Sequence, residues 1–380
     1  MRVLIIHNQL WAHYKSLLFS ELRKHSIDFN IQIHVAQIAV SEQSRSNLGN
    51  AESDQYQYNY TLLFDDSLEN VRLWPKTKAL FRIFNSQKPD LLNITGYYDP
   101  AQILLLIWAK LRGVKVVISN ESNARDNDTG LLLSKIKKVI LNSADGFICF
   151  GQSSADFILS FGILENKILT QKAAIVDNHK LLEVYQKAHA CCQGNKVLLG
   201  LPQYNFIFVG RLIAPKNLLV LLEAFNQLNN SDWGLILLGE GEQKPDLQLF
   251  VSENQIKNIF FFSGINWDRV PEYLALADVL VLPSTSEPWG LVVNEAMVCG
   301  LPVIVSDCCG CVEDLVKNGE NGFIFDPYRE QELKEKLNFY VQNPDQIIPM
   351  GEVSRQIVST FTPQNTALEI LTGFRRLGGS

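Results

Sequence analysis

Residues 279–306 read VLVLPSTSEPWGLVVNEAMVCGLPVIVS, which is a short apolar run, a polar loop, a helical pattern and a second apolar run. The first apolar run ends at Pro283, and Gly300 followed by Pro302 ends the helical pattern. A helix between two buried strands is the crossover connection of a parallel sheet. The segment therefore predicts an α/β fold.

The same alternation extends in both directions from this segment. In the front half, strand and helix patterns alternate over residues 3–6, 14–24, 30–36, 91–95, 101–112, 114–119, 131–142 and 146–150. In the rear half the alternation restarts with the apolar run at residues 206–209. We therefore expect two Rossmann-like domains, residues 1–180 and 200–361, whose parallel sheets face each other across a cleft.

Composition narrows the class of protein. The chain has 380 residues, 47 % of them hydrophobic, which is enough for two globular cores. Its net charge of −6 argues against sequence-independent nucleic-acid binding, which depends on neutralising phosphates. Seven cysteines without a disulfide framework favour a reducing compartment, so we expect a cytoplasmic protein. The longest later apolar run, residues 103–109, is too short to span a bilayer.

Two acids flank a helix start in the opening segment. Glu287 lies in the loop at the carboxyl end of a strand, where open α/β sheets bind ligands, and Glu295 lies about one and a half turns into the helix. The amides that have no partner at this helix start are those of Gly290, Leu291 and Val292. A phosphate site between two carboxylates suits a nucleotide sugar. Either acid alone would be interpreted as an ordinary solvated residue.

Two cations follow the first strand of the rear half. Arg211 offers a planar fork and Lys216 a point charge to phosphate oxygens, and Gly210 lets the backbone approach a ligand. The alternative is a pair of solvated loop cations. Their position at the carboxyl end of a strand favours the phosphate interpretation.

Glycines also follow the next two strands. Gly239 begins a G-x-G without a third glycine, so the dinucleotide-binding fingerprint fails. We expect Gly239, Gly264 and Ile265 to line the place where a nucleotide base lies against the backbone.

Together these motifs resemble the family 4 glycosyltransferases of the GT-B fold, over about residues 205–327. The spacing Glu287-x7-Glu295 is the most specific part of the match. The resemblance implies that Glu287 contacts the hydroxyls of the donor sugar, that Glu295 binds the nucleotide ribose, and that Arg211 and Lys216 hold the diphosphate. It also implies transfer with retention of anomeric configuration, without a metal ion or other cofactor.

Further expectations rest on the same resemblance. About residues 362–380 should cross back onto the first domain, and Trp289 joins the donor-binding set. A D-x-D sequence, Asp126 to Asp128, would bind a divalent ion in the other glycosyltransferase fold. We interpret it here as a solvated loop.

The expected chemistry follows from charge. Breaking the bond from the sugar to the diphosphate leaves negative charge on the phosphate, and fixed donors aimed at that charge lower the barrier most. Arg211, Lys216 and the helix amides would supply them, with Glu287 on the sugar.

The sequence motifs of the first domain are less specific than those of the second. Relatives carry a glycine-rich loop after the first strand, whereas this loop has none, and His13 in it is a candidate contact on the acceptor side. Tyr98 is a second acceptor-side candidate. Glu121 and Asp99 both follow strands and could place a carboxylate near the anomeric carbon, and we favour Glu121.

The expected partners are a nucleotide sugar and a glycan or lipid-linked acceptor. Lys135, Lys137 and Lys138 lie in an apolar helical pattern that suits peripheral contact with an anionic membrane, and a core-facing helix with solvated lysines is the alternative.

Two rival functions remain open. One keeps the fold but performs phosphorolysis or epimerisation, and the other is a sugar-nucleotide-binding subunit without activity.

Overall fold

The computed structural model describes residues 1–42, 57–122 and 131–379. The chain forms two compact units. Unit 1 comprises Met1–Ile175 together with Phe361–Ser380, and unit 2 comprises Val176–Thr360. Among the described residues, no helix is both long enough and apolar enough to cross a membrane.

Unit 1 contains a parallel sheet of seven strands in the order β3-β2-β1-β4-β5-β6-β7. Its elements up to residue 170 are β1 (Arg2–Gln9), α1 (His13–Ser26), β2 (Gln32–Ala39), β3 (Tyr60–Leu62), α2 (Leu73–Gln87), β4 (Leu91–Thr95), α3 (Pro100–Leu111), β5 (Lys115–Asn120), α4 (Leu131–Ser143), β6 (Gly146–Cys149), α5 (Gln152–Leu159) and β7 (Ile168–Thr170). Helices cover both faces, so the central strands are almost continuously apolar, as at residues 3–6 of β1.

Unit 2 contains a second parallel sheet, of six strands in the order β10-β9-β8-β11-β12-β13. Its elements are α6 (Asn178–His189), α7 (Cys192–Leu199), β8 (Tyr204–Val209), α8 (Leu218–Asn226), β9 (Trp233–Leu238), α9 (Lys244–Glu253), β10 (Ile259–Phe262), α10 (Val270–Leu274), β11 (Val279–Leu282), α11 (Leu291–Cys299), β12 (Val303–Ser306), α12 (Val312–Leu315), β13 (Gly322–Phe325), α13 (Glu330–Gln342) and α14 (Ile347–Val358). The strand order reverses between β8 and β11, and ligands of open α/β sheets bind at such a switch point.

The last helix, α15 (Pro363–Gly378), belongs to unit 1 and packs on α1. Thr362 caps its start by accepting a hydrogen bond from the Asn365 amide at 3.1 Å. The Thr366 hydroxyl donates to the Lys172 carbonyl at 2.6 Å. These contacts attach the end of the chain to the unit that holds its beginning.

Helix α7 is attached to the sheet of unit 2 by a buried ion pair. The Lys196 ammonium donates to Asp278 Oδ2 at 3.2 Å and to the Gln203 carbonyl at 2.7 Å. Asp278 Oδ2 also accepts from the Asn205 amide at the start of β8 at 2.7 Å. Burial nevertheless raises the pKa of Asp278 above its usual value, the lysine opposing that effect.

Candidate functional site

Backbone hydrogen bonds connect the loops at the carboxyl ends of the unit 2 strands. The Gly210 amide donates to the Leu238 carbonyl at 3.0 Å, and the Gly239 amide donates to the Phe262 carbonyl at 3.1 Å. A Cβ added at Gly239 would lie 1.9 Å from the Gly210 carbonyl oxygen. Glycine is therefore required at residue 239 so that the two loops can meet.

Lys216 and Glu287 form an ion pair at this edge of the sheet. Their side chains are only 13 % and 17 % exposed, so the pair is largely shielded from water. The Thr285 amide donates to the Pro215 carbonyl at 2.9 Å and holds the two loops together. We expected Lys216 and Glu287 to contact different parts of a ligand, and the tertiary structure places them against each other.

The Glu287 loop is also attached to the segment that follows β12. The Gly310 amide donates to the Glu287 carbonyl at 2.9 Å. Trp289 is only 3 % exposed, and its indole N–H donates to Asn294 Oδ1 at 2.8 Å. We expected Trp289 to contact a ligand, but its side chain is enclosed in the protein and anchors the loop to α11.

Helix α11 begins directly after this loop. Gly290 adopts φ +100°, and a Cβ there would lie 2.8 Å from Leu282 Cδ2, so both conformation and space require glycine. The Val293 amide donates to the Gly290 carbonyl at 2.9 Å. The preceding amides of Leu291 and Val292 lie at the helix start, where amides lack intrahelical acceptors and attract anions.

Glu295 carries a half-buried carboxyl group within α11. Burial raises its pKa from 4.5 to about 8. Among the residues that the structure describes, none gives this carboxyl group a hydrogen bond or an ion pair. The oxygens of a desolvated carboxyl group of this kind gain from hydrogen-bond donors, and the hydroxyls of a ribose are such donors.

The raised pKa of Glu295 makes a prediction about stability. The folded protein keeps the proton up to about pH 8, whereas the unfolded chain releases it near pH 4.5, so stability falls as pH rises through that window. Glu295→Gln cannot ionise, so its stability relative to the wild type should increase by about 3–4 kcal/mol between about pH 5 and pH 8. Urea unfolding of both proteins at about pH 5 and pH 8 measures this change. The prediction is contradicted if the two proteins differ in free energy of unfolding by the same amount at both pH values.

Arg211 and the end of β10 complete this edge of unit 2. The Arg211 side chain is exposed, and within the described ranges it has no ion-pair or hydrogen-bond partner. Gly264 is exposed beside Glu240, and Ile265 is half-buried. Arg211 is therefore a cation at the switch point that no acid among these described residues neutralises.

Unit 1 places a second polar group at the carboxyl ends of its strands. Glu121 follows β5, and its Oε1 lies 2.9 Å from the Lys15 ammonium. Asp99 instead caps α3, since its Oδ1 accepts from the Ala101 amide at 2.8 Å, while its Oδ2 accepts from Lys76 at 2.7 Å. Both oxygens of Asp99 thus have structural partners within unit 1.

Tyr98 is the exposed member of an aromatic pair at the end of β4. Its side chain is 52 % exposed, and its ring centroid lies 4.3 Å from that of Tyr97. The Lys137 ammonium lies 5.3 Å from the Tyr98 ring centroid, and Lys137 is buried. Lys137 therefore does not belong to a cationic exposed face, contrary to what we expected from its helical pattern.

The exposed face of α4 retains two of the three lysines. Lys135 and Lys138 are exposed, and Ile136 and Val139 are exposed beside them. This surface combines cations with apolar side chains, a combination found in helices that lie on membranes.

Two sequence predictions fall partly or wholly outside the described residues. Residue His13 begins α1, but its side chain is not among those described. Asp126 to Asp128 also lie outside the described ranges. Within those ranges, no group of three His, Cys, Asp or Glu residues is placed to hold a metal ion.

Lys15 was not singled out by its sequence context. It is one of many lysines, and only its place in the first turn of a helix after β1 distinguishes it. A cation is unusual there because the helix dipole favours acids in the first turn. That placement is the signal that could have identified it.

Comparison with known proteins agrees with this geometry. Residues 195–356 match the family model described as Glycosyl transferases group 1. An uncharacterized glycosyltransferase of Methanocaldococcus jannaschii is 27 % identical over 183 residues, which are 48 % of this chain and 51 % of that protein. This chain therefore spans about half the length of that relative. The UDP-Gal:alpha-D-GlcNAc-diphosphoundecaprenol alpha-1,3-galactosyltransferase of Escherichia coli is 28 % identical over 273 residues, 68 % of each chain.

Solved structures show the same fold at low sequence identity. Anabaena Alr3699/HepE in complex with UDP has a TM-score of 0.76 at 18 % identity, covering 98 % of this chain and 99 % of that one. Sucrose-phosphate synthase from Thermosynechococcus elongatus has a TM-score of 0.72 at 17 % identity, covering 99 % of both chains. Residues 195–356 thus match the group 1 glycosyl transferases, and the chain has the GT-B fold of two Rossmann-like domains.

Proposed function

We propose that this protein is a retaining glycosyltransferase that moves a hexose-type sugar from a UDP- or GDP-sugar to a glycan or lipid-linked acceptor, without a metal ion. The observation that carries the proposal is the Lys216–Glu287 ion pair beside the start of α11, at the switch point of unit 2. This pair lies within the segment that matches the group 1 family. The E. coli relative named above is a galactosyltransferase whose name gives a diphosphoundecaprenol acceptor.

In this proposal each group of the site has one task. Arg211, Lys216 and the first amides of α11 bind the diphosphate, and Glu287 accepts hydrogen bonds from hydroxyls of the donor sugar. Glu295 accepts hydrogen bonds from the ribose. Gly210, Gly264 and Ile265 leave room for the base at the strand ends.

The reaction places the largest demand on the phosphate contacts. As the bond between the anomeric carbon and the diphosphate breaks, negative charge grows on the leaving oxygen. Arg211 has no acid to neutralise it among the described residues, so its full charge is available to that oxygen. On unit 1, Glu121 orients the acceptor hydroxyl and Tyr98 offers an apolar ring to an acceptor sugar.

We also propose that the protein works on the cytoplasmic side and contacts the membrane surface peripherally. The exposed Lys135, Ile136, Lys138 and Val139 of α4 support this, since anionic lipids attract the lysines and the apolar side chains can enter the headgroup region. A second relative, from Campylobacter jejuni and 24 % identical over 247 residues, is named an N-acetylgalactosaminyltransferase that acts on a diphospho-undecaprenol-linked sugar.

The experiment that tests the function compares Arg211→Ala with the wild type. We expect the wild type to bind UDP or GDP and to transfer or hydrolyse one of the matching nucleotide sugars. Arg211→Ala should slow this reaction at least about tenfold, because it removes a donor to the leaving phosphate. Calorimetric titration of the nucleotides and NMR of the product anomer provide the two readouts.

The exposed Lys257, at the amino end of β10, is the matched control, and Lys257→Ala should leave the rate unchanged. Absence of binding to both nucleotides would refute the proposal. Sugar 1-phosphate formed from free phosphate, or an epimerised donor, would favour the phosphorylase or epimerase alternative. Tight nucleotide binding without turnover of any donor would favour a non-catalytic subunit.

A further inference from the structure

Lys15 carries an ammonium group that is almost completely buried in unit 1. Only 6 % of its side chain is exposed, whereas its partner Glu121 is 37 % exposed. The Lys15 Nζ atom lies 4.5 Å from the ring centroid of Phe150 and 5.5 Å from that of Tyr14. Two aromatic faces and one carboxylate therefore fix the ammonium in place.

Helix stability does not account for this lysine. The helix dipole disfavours a cation in the first turn of α1, and removing an ammonium from water costs free energy that an ion pair only partly offsets. Buried ion pairs are weak contributors to stability, so a pair with one half-exposed member at a ligand-binding edge indicates another role. The exposed member is the carboxylate, which a ligand can reach.

Hydrogen bonds fix the backbone on both sides of Glu121. The Asn120 side-chain amide donates to the Ser154 hydroxyl at 2.8 Å and to the Ser122 carbonyl at 2.8 Å. The Ser154 hydroxyl donates to the Asn120 carbonyl at 3.1 Å. Lys15 in turn lies 2.9 Å from the Oε1 atom of Glu121.

The neighbouring titratable groups stay neutral near pH 7. His7 on β1 is buried, and burial together with the charge of Lys15 lowers its pKa to about 4. Burial raises the pKa of the Cys149 thiol at the end of β6 to about 12. Lys15 and Glu121 are therefore the two charges of this cluster within the described part of unit 1.

We propose that Lys15 is a positioning residue that holds Glu121 ionised and correctly oriented toward the acceptor hydroxyl. This inference rests on the proposed glycosyl transfer. Lys15 itself is too enclosed to touch a substrate, so it acts through Glu121. A fixed carboxylate can accept a hydrogen bond from the hydroxyl that attacks the anomeric carbon, whereas a mobile or protonated one cannot do so reliably.

The test uses Lys15→Met, which keeps the apolar stem and removes the charge. We expect kcat to fall at least about tenfold while KM for the nucleotide sugar stays within about twofold, since the donor site lies in unit 2. The acidic limb of the kcat–pH profile should move up by about one pH unit, because Glu121 takes up a proton more easily without its neighbour. Thermal melting confirms that the variant is folded.

Lys24→Met is the matched control on the same helix. Lys24 is exposed and pairs with Glu21, so this variant should leave kcat and its pH profile unchanged. A double-mutant cycle with Glu121→Gln isolates the coupling between the pair. In the Glu121→Gln background, Lys15→Met should cost less than about threefold, because the carboxylate that it serves is absent.

An unchanged pH profile in folded Lys15→Met, or additive losses in the cycle, would overturn the inference. If Lys15→Met does not fold, the kcat–pH profile of Glu121→Gln provides the test. The inference requires that the acidic limb of this profile disappears, and an acidic limb that persists contradicts it. UDP and GDP binding separate the two proposals. A wild-type protein that binds neither UDP nor GDP refutes the proposed glycosyl transfer itself. If the wild type binds a nucleotide and turns over its sugar, and Lys15→Met has the same kcat and pH profile, only the role of Lys15 is refuted.

Discussion

Replacing Lys216 with Met is expected to lower kcat for sugar transfer by about a hundredfold. Lys216 pairs with Glu287, and both side chains are largely shielded from water. The substitution therefore removes a phosphate donor and also releases the carboxylate that we assign to the donor sugar. Steady-state kinetics with the best nucleotide sugar measure the loss.

Two controls separate this effect from loss of folding. Lys257→Met removes the same charge at the amino end of β10, away from the strand ends of the site, and should leave kcat unchanged. Lys216→Met should lower the free energy of unfolding by about 1–3 kcal/mol, since Glu287 loses its partner. A folded Lys216→Met protein with a kcat near that of the wild type would show that the pair is structural.

Replacing Lys196 with Met is expected to destabilise unit 2 by about 3 kcal/mol. The substitution leaves the Asp278 carboxylate without its counter-charge between α7 and β8. Because burial already raises the pKa of Asp278, the variant should recover part of its stability at low pH, where that carboxyl is protonated. Urea unfolding at about pH 7 and pH 5 measures both effects.

The exposed pair of Lys187 and Glu183 on α6 provides the control. These side chains are 74 % and 53 % exposed, and Lys187→Met should cost less than about 1 kcal/mol. Adding Asp278→Asn to Lys196→Met should restore part of the loss, because an amide needs no counter-charge. Equal effects of Lys196→Met and Lys187→Met would contradict a buried ion pair.

Local patterns predicted much of the fold. The strand, loop, helix and strand expected within residues 279–306 are β11, α11 and β12, because each has a clear apolar period and its ends are marked by proline or glycine. Several elements were missed. Residues 178–204, whose apolar period is weak, contain α6 and α7, and α7 exposes apolar side chains on its outer face.

Strand β13 was also missed. Residues 318–322 are rich in asparagine and glycine, a composition typical of turns, but Gly322 already belongs to β13. A Cβ at Gly322 would lie 1.9 Å from the Val303 carbonyl oxygen, so glycine is present for close packing against β12. A single sequence does not distinguish a glycine of this kind from one in a turn.

The sequence by itself determined the fold class and the order of most elements. It also placed Glu287, Arg211 and Glu121 just beyond strand ends and Glu295 within a helix, because hydrophobic period and turn chemistry are local properties. Only the tertiary structure decided that Lys216 lies against Glu287, 71 residues away, and that Lys15 lies against Glu121. It also decided that Trp289 and Lys137 are buried. Contacts between distant residues depend on how strands and helices pack, and neither charge nor spacing along one chain encodes them.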